Sequence, residues 1–188
     1  ASRGLGDVYK RQDDDCFEGY YKGVLYNVTE TTLLKSDNNF AGVLILIKFN
    51  KQIRAKTIIV EKEAFGIYDL PLLQTEKEVL EEIKLEDIEF SKHYRAFSED
   101  QVEGRYLVTT AFMERFKELK NIMKSSCARC SFFDNYVLFA IPTVKNRYEI
   151  ANLFCKLDNP KRYLKFFQEL SAIYAIIDYF KLDENTGI

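Results

Sequence analysis

The chain has 188 residues, 47% hydrophobic and 30% charged, with 14% aromatics that are all Phe and Tyr. This composition carries enough apolar bulk for a packed core and excludes a disordered chain, and the length fits one domain with at most an appendage. A formal charge of −2 gives no whole-chain electrostatic case for nucleic acid.

No apolar run reaches the roughly 18 residues of a membrane helix. The nearest, Leu170 to Phe180, is short and contains Asp178.

Residues 1–12, ASRGLGDVYKRQ, read as a translated adaptor, so they are set apart from function and the domain is taken as residues 13–188. Gly4 and Gly6 near Lys10 follow no strand and so do not make a phosphate loop. Tyr20 to Leu34 is rich in aromatic and β-branched residues and reads as a strand with one buried face. Ser36 to Asn39 is a turn cluster. Phe40 to Phe49 is a nearly continuous apolar run, expected as a central strand buried on both faces. Asn50 to Arg54 turns, and Lys56 to Val60 is a third strand, so an antiparallel meander is expected. Gly66 to Pro71 breaks the pattern, and Thr75 to Leu85 suits a short helix or an edge strand.

In Glu86 to Phe97, the spacing of Phe90, Tyr94 and Phe97 predicts a helical turn leading into a strand. Ser98 and Gln101 stand at capping-box spacing before a short helix ending near Leu107. Thr109 or Thr110 caps the next helix, on which Phe112, Phe116, Leu119 and Met123 form one apolar stripe. Ser131 to Pro142 reads as a hairpin turning at Asp134 and Asn135. Arg147 to Phe154 is a further short strand or helix. The last helix is capped by Asn159, starts at Pro160 and carries a stripe of Tyr163, Phe167, Leu170, Tyr174 and Ile177; a polar tail begins at Asp183.

Few residues carry recognisable chemistry. Cys127 and Cys130 have the spacing of a redox or zinc pair, and Cys16 and Cys155 are the other cysteines a four-ligand zinc site would need. The pair, however, follows a helix and precedes a strand, the reverse of the order that lowers a thiol pKa; reduced cysteines in a turn and a core are the plainer reading. His93 is the lone histidine, so any triad must use it, and it has no nucleophile motif beside it. Asn27-Val28-Thr29 matches a glycosylation acceptor by chance. Lys48, Lys51, Arg54 and Lys56 form a small basic strand edge.

Arg95, Arg105 and Tyr106 are the residues without a clear structural duty. They are interleaved with Tyr94, Glu99, Asp100 and Glu103, which suits either an anion or peptide-carboxylate pocket or arginines that neutralise those acids.

Three stretches resemble a bacterial family of unknown function, number thirty-one thirty-seven in the unknown-function series. They are FEGYYKGVLYNVTE at Phe17 to Glu30, FAGVLILIKFNKQIRAKTIIVEKE at Phe40 to Glu63, and LEDIEFSKHYRAFSEDQVEGRYLVTTAFMERFKEL at Leu85 to Leu119. The last is the most specific, with its Ser-x-Asp-Gln turn at Ser98, its Arg105-Tyr106 pair and its Phe-Met-Glu-Arg helix at Phe112. The resemblance implies a membrane-tethered parent whose hydrophobic segments lie upstream, with this domain on the cytoplasmic side. It carries over no catalytic residues, and no cofactor is expected.

The expected fold is α+β: a mostly antiparallel sheet packed against two or three helices, among them Thr110 to Met123 and the C-terminal helix. A pleckstrin-homology-like small barrel capped by the last helix is the alternative. The expected function is a non-catalytic binding or scaffolding domain that takes a protein or peptide partner at Arg95, Arg105 and Tyr106. The alternative is a hydrolase or transferase using His93 with those arginines and nearby acids, which requires the side chains to converge.

Overall fold

Two tight turns organise the sheet. Lys22 and Gly23 both adopt positive φ, 50° and 83°, the conformation of a two-residue hairpin turn, so the chain doubles back inside what reads as one strand. Asp134, at φ 51°, makes the second turn with Asn135, where the sequence places it. The computed structural model describes residues 10–34, 40–49, 52–63, 80–143 and 160–185. The expected turn at Ser36 to Asn39 and the element at Arg147 to Phe154 lie outside these.

The elements are β1 (Lys10–Tyr21), β2 (Val24–Leu34), β3 (Phe40–Lys48), β4 (Thr57–Glu61), β5 (Glu81–Ile83), α1 (Ile88–His93), β6 (Tyr94–Ser98), α2 (Gln101–Leu107), α3 (Thr110–Ile122), β7 (Arg129–Phe133), β8 (Tyr136–Pro142) and α4 (Pro160–Asn185). The eight strands among the described residues join one antiparallel sheet in the order β1-β2-β3-β8-β7-β4-β6-β5. The fold is therefore α+β. Among the described strands the sheet is open rather than a closed barrel, with β1 and β5 at its ends. The β1 strand begins at Lys10, inside the segment set apart as an adaptor.

The meander expectation fails at one place. β3 and β4 are consecutive in sequence, yet the β7–β8 hairpin is inserted between them, with β8 on β3 and β7 on β4. Phe49 N–H donates to the Asn135 carbonyl at 2.8 Å, which ties the end of β3 to the hairpin turn.

The four helices among the described residues pack on one face of the sheet. Val28, Ile45, Phe139, Cys130, Ile59 and Ala96 form one row across six strands and belong to the main core. Phe112 of α3 sits over this row against Phe116, Phe132, Phe139 and Phe180, and is fully buried. The stripe expected on α3 (Phe112, Phe116, Leu119, Met123) is wholly buried. Phe90 of α1 stacks on Tyr94 at 4.3 Å. Tyr174 of α4 stacks on Tyr21 at 4.0 Å, and its hydroxyl meets that of Tyr26 at 3.0 Å; burial, with that bond, pushes the Tyr26 phenol up to about 12.

Two expectations need rotation. Phe167 is 61% exposed, while Ile173, Ile176 and Ile177 are buried and Phe166 packs on Phe17. A helix that is apolar around much of its circumference does not announce its buried side, and contacts with the β1–β2 hairpin decide it. Likewise β3 is central but buried on one face only: Ile45 and Ile47 are covered, whereas Leu44 and Leu46 are partly exposed.

Candidate functional site

Helix α2 begins because Asp100 caps it. The Asp100 carboxylate accepts from the N–H groups of Val102 and Glu103 at 2.7 and 2.9 Å. Ser98, expected as the cap, instead meets the Thr57 hydroxyl at 2.8 Å in the core and accepts from Asp100 N–H. Gly104 lets α2 approach the sheet closely, since a Cβ there would collide with Ile83 and lie 2.8 Å from Ser98 Cβ. With Gly104 turned inward, Val102 and Tyr106 are turned out, at 72% and 47% exposure.

The acids interleaved with the candidate arginines all bind backbone. Glu99 accepts from Lys56 N–H and Glu103 from Arg54 N–H, each at 2.8 Å, which pins the loop before β4 to α2. The structural reading of the sequence expected Arg95 or Arg105 to neutralise these acids; instead, among the described residues, none of the three pairs with either arginine.

The sheet separates the three candidate residues. Tyr94 and Ala96 face the helices, so Arg95 between them points to the opposite face. There its guanidinium makes two hydrogen bonds to Glu82, at 2.9 and 2.7 Å, and lies 4.9 Å from the Phe97 ring centre. That pairing holds the Glu82 carboxyl below its ordinary range and raises Arg95 further. Arg105 and Tyr106 stay on the helix side, exposed, with no hydrogen bond or ion pair among the described residues. With Val102 and Thr109 they line a shallow, open pocket of about 360 Å³. Thr109 is occupied: its hydroxyl caps α3 through Phe112 N–H at 3.2 Å and meets the Tyr179 hydroxyl at 2.5 Å. Neither Arg95 nor His93 lines this pocket.

His93 ends α1 and is exposed. Its carbonyl accepts from Lys62 N–H at 2.8 Å, and its imidazole has no hydrogen-bond partner among the described residues. Among the described residues, Arg95 and Arg105 do not converge with it as the hydrolase or transferase alternative requires.

The four-cysteine set does not assemble. Cys16 is on β1 and Cys130 on β7, with β2, β3 and β8 between them, a separation of about 19 Å at the usual strand spacing. Burial pushes the thiols of Cys127 and Cys130 upward, against the depressed pKa that redox chemistry needs. Among the described residues no three His, Cys, Asp or Glu side chains are placed to hold a metal ion. Cys155 lies outside them.

One buried polar cluster was not legible in the sequence. Lys120 of α3 pairs with Glu61 at the end of β4, their side chains 21% and 10% exposed. Burial, then a hydrogen bond to Glu61, raises the Tyr94 hydroxyl pKa, and Lys120 lies 5.7 Å from the Tyr94 ring centre. Glu61 and Lys120 are 59 residues apart, so no local motif could have joined them. Val102 and Thr109 were missed for another reason: the first reads as an ordinary helix residue and the second as a cap.

A family model described as a protein of unknown function (DUF3137) matches residues 38–182. The chain belongs to the DUF3137 family. In this DUF3137 chain the matched span runs from just before β3 nearly to the end of α4 and so contains the whole α2 site. No curated protein and no solved structure is significantly similar to it. Among the described residues no helix is long and apolar enough to cross a membrane.

Proposed function

We propose that the domain is a non-catalytic recognition module, carried on the cytoplasmic side of a membrane-tethered bacterial protein, and that it binds a protein or peptide partner at the outer face of α2. One observation carries this reading. Arg105 and Tyr106, an arginine and a phenol without hydrogen-bond or ion-pair partners among the described residues, adjoin the exposed Val102 around one open pocket. An exposed guanidinium beside apolar surface suits a carboxylate flanked by an aliphatic side chain. Arg95 is outside the site, because Glu82 already occupies its fork.

The test is a titration of labelled protein with short capped peptides bearing Glu next to Leu, followed by amide chemical shifts. Shifts are expected at Val102, Arg105, Tyr106 and Thr109. A charge-assisted hydrogen bond contributes about 1.5–3 kcal/mol, so Arg105→Ala should weaken binding roughly ten- to hundredfold. Arg95→Ala should leave the affinity unchanged. Shifts that persist in Arg105→Ala, or none up to several millimolar peptide, would remove the proposal.

A further inference from the structure

The loop before β4 stands against α2 and carries a further arginine. Ile53 and Ala55 are buried and Arg54 between them is exposed, so the loop turns alternate side chains outward. Its backbone is fixed by three hydrogen bonds. Ile53 N–H donates to the Asp134 carbonyl, Arg54 N–H to the Glu103 carboxylate at 2.8 Å, and Lys56 N–H to the Glu99 carboxylate at 2.8 Å. The Arg54 guanidinium itself has no hydrogen bond or ion pair among the described residues. Of the basic strand edge read in the sequence, Lys48 lies elsewhere, 5.8 Å from the Tyr136 ring centre, and Lys51 falls outside the described residues.

We infer that Arg54 binds a second carboxylate of the partner, so that the α2 site, taken as the recognition surface proposed above, selects an acidic segment with two carboxylates about an apolar side chain. The helix supplies the geometry. At about 100° per residue, Glu103 and Arg105 stand on opposite flanks of α2, about 160° apart, with Val102 and Tyr106 between them. Glu103 holds the Arg54 backbone on its own flank, and Arg105 occupies the other. Two cations therefore bracket the exposed Val102 and Tyr106. A helix with its side chains is about 10–12 Å across, and four residues of extended chain cover about 13 Å. Carboxylates four residues apart on an extended segment fall on the same side and reach both guanidinium groups.

The acids of the same region do not reverse this preference. Glu99, Asp100 and Glu103 each accept from backbone N–H groups, whose dipoles offset part of their charge. A cationic partner would meet carboxylates that are already hydrogen-bonded, whereas an acidic one meets two guanidinium groups that are not.

Titrating the full chain at low salt with two capped peptides, Glu-Leu-Ser-Ser-Glu and Glu-Leu-Ser-Ser-Gln, separates the two carboxylates. The wild type should bind the two-acid peptide about three- to fivefold more tightly, the size of an exposed ion pair, and added salt should erase the difference. Arg54→Ala leaves the backbone N–H and its bond to Glu103 in place. It should abolish the two-acid advantage, leave the one-acid peptide unchanged and keep the wild-type circular dichroism spectrum; Arg54→Lys should restore part of the advantage. In the wild type, the side-chain Nε–H signal of Arg54 should shift with the two-acid peptide only. Arg105→Ala should weaken both peptides. Equal affinity of the wild type for the two peptides, an advantage that survives Arg54→Ala, or an Arg54 signal indifferent to the second acid overturns the inference; the α2 reading then stands as long as Arg105→Ala weakens binding. Binding indifferent to Arg105→Ala, or no binding of either peptide, removes both.

Discussion

The two faces of the sheet are built from the same strands and behave differently. On the helix side, Ile45, Ile47, Val137 and Phe139 are sealed under α3 and α4. On the other side, Leu44, Leu46 and Leu138 alternate with them in sequence and are as apolar, yet stay partly exposed. Apolar character in a strand therefore does not identify its buried face. That depends on what covers each face: Phe112, Phe116, Tyr174 and Phe180 all cover the same one, while on the other Ile58, Val60 and Phe97 of β4 and β6 form a second, smaller buried cluster with Leu80. The arginines repeat the contrast: Arg95, on the face opposite the helices, is paired with Glu82, and Arg105, on the helix side, has no ion pair among the described residues.

Mutations on the two faces measure that difference. Phe112→Ala empties the centre of the aromatic cluster and should cost about 3–5 kcal/mol in denaturant unfolding; Leu46→Ala, partly solvated already, should cost about 1 kcal/mol. Equal losses would mean that the two faces are equally buried in solution. The ion pair beneath α3 comes next. Lys120→Ala leaves the Glu61 carboxylate without its cation in a largely buried site and should cost about 2–3 kcal/mol, reduced from the fully buried case by the residual exposure of Lys120. The double variant Glu61→Leu with Lys120→Met should lie within about 1 kcal/mol of wild type, because removing both charges removes the desolvation cost as well. A double variant as unstable as the single one would show that the pair stabilises beyond that cost.

The smallest effect is on the face opposite the helices. Arg95 holds the Glu82 carboxyl below its ordinary value, so the folded state binds that proton more weakly than the unfolded chain does. The stabilisation is complete above the ordinary Glu range and is lost as pH falls through the depressed folded-state value. Glu82 is half exposed, so solvent screening keeps the effect under about 1 kcal/mol. Acid unfolding of Arg95→Ala should accordingly show a shallower loss of stability below about pH 4 than the wild type. Parallel curves would mean that the pair contributes nothing in solution.

Much of the local structure was readable because its causes are local. Asp134-Asn135 turns a hairpin, Thr109 caps α3, and the spacing of Phe112, Phe116, Leu119 and Met123 makes a buried stripe wherever that helix is placed. The Lys22-Gly23 turn was missed because strand-forming residues continue on both sides of it. The α2 site was half legible: Arg105 and Tyr106 stood out as residues without a structural duty, but Arg95 looked the same. Ten residues of sequence separate the two arginines, and a whole sheet separates them in space.

By itself, the sequence determined an α+β domain with a long C-terminal helix, the caps and turns that begin and end most of its segments, and its family. Those features depend on residue type and on spacings of two to four, which act over a few ångströms of chain. Only the tertiary structure decided the insertion of the β7–β8 hairpin between β3 and β4, the buried side of α4, the Glu61–Lys120 pair and the division of the candidate site between two faces. Each of these depends on contacts between residues far apart in the chain, where the competing arrangements bury similar apolar area and only the assembled packing distinguishes them.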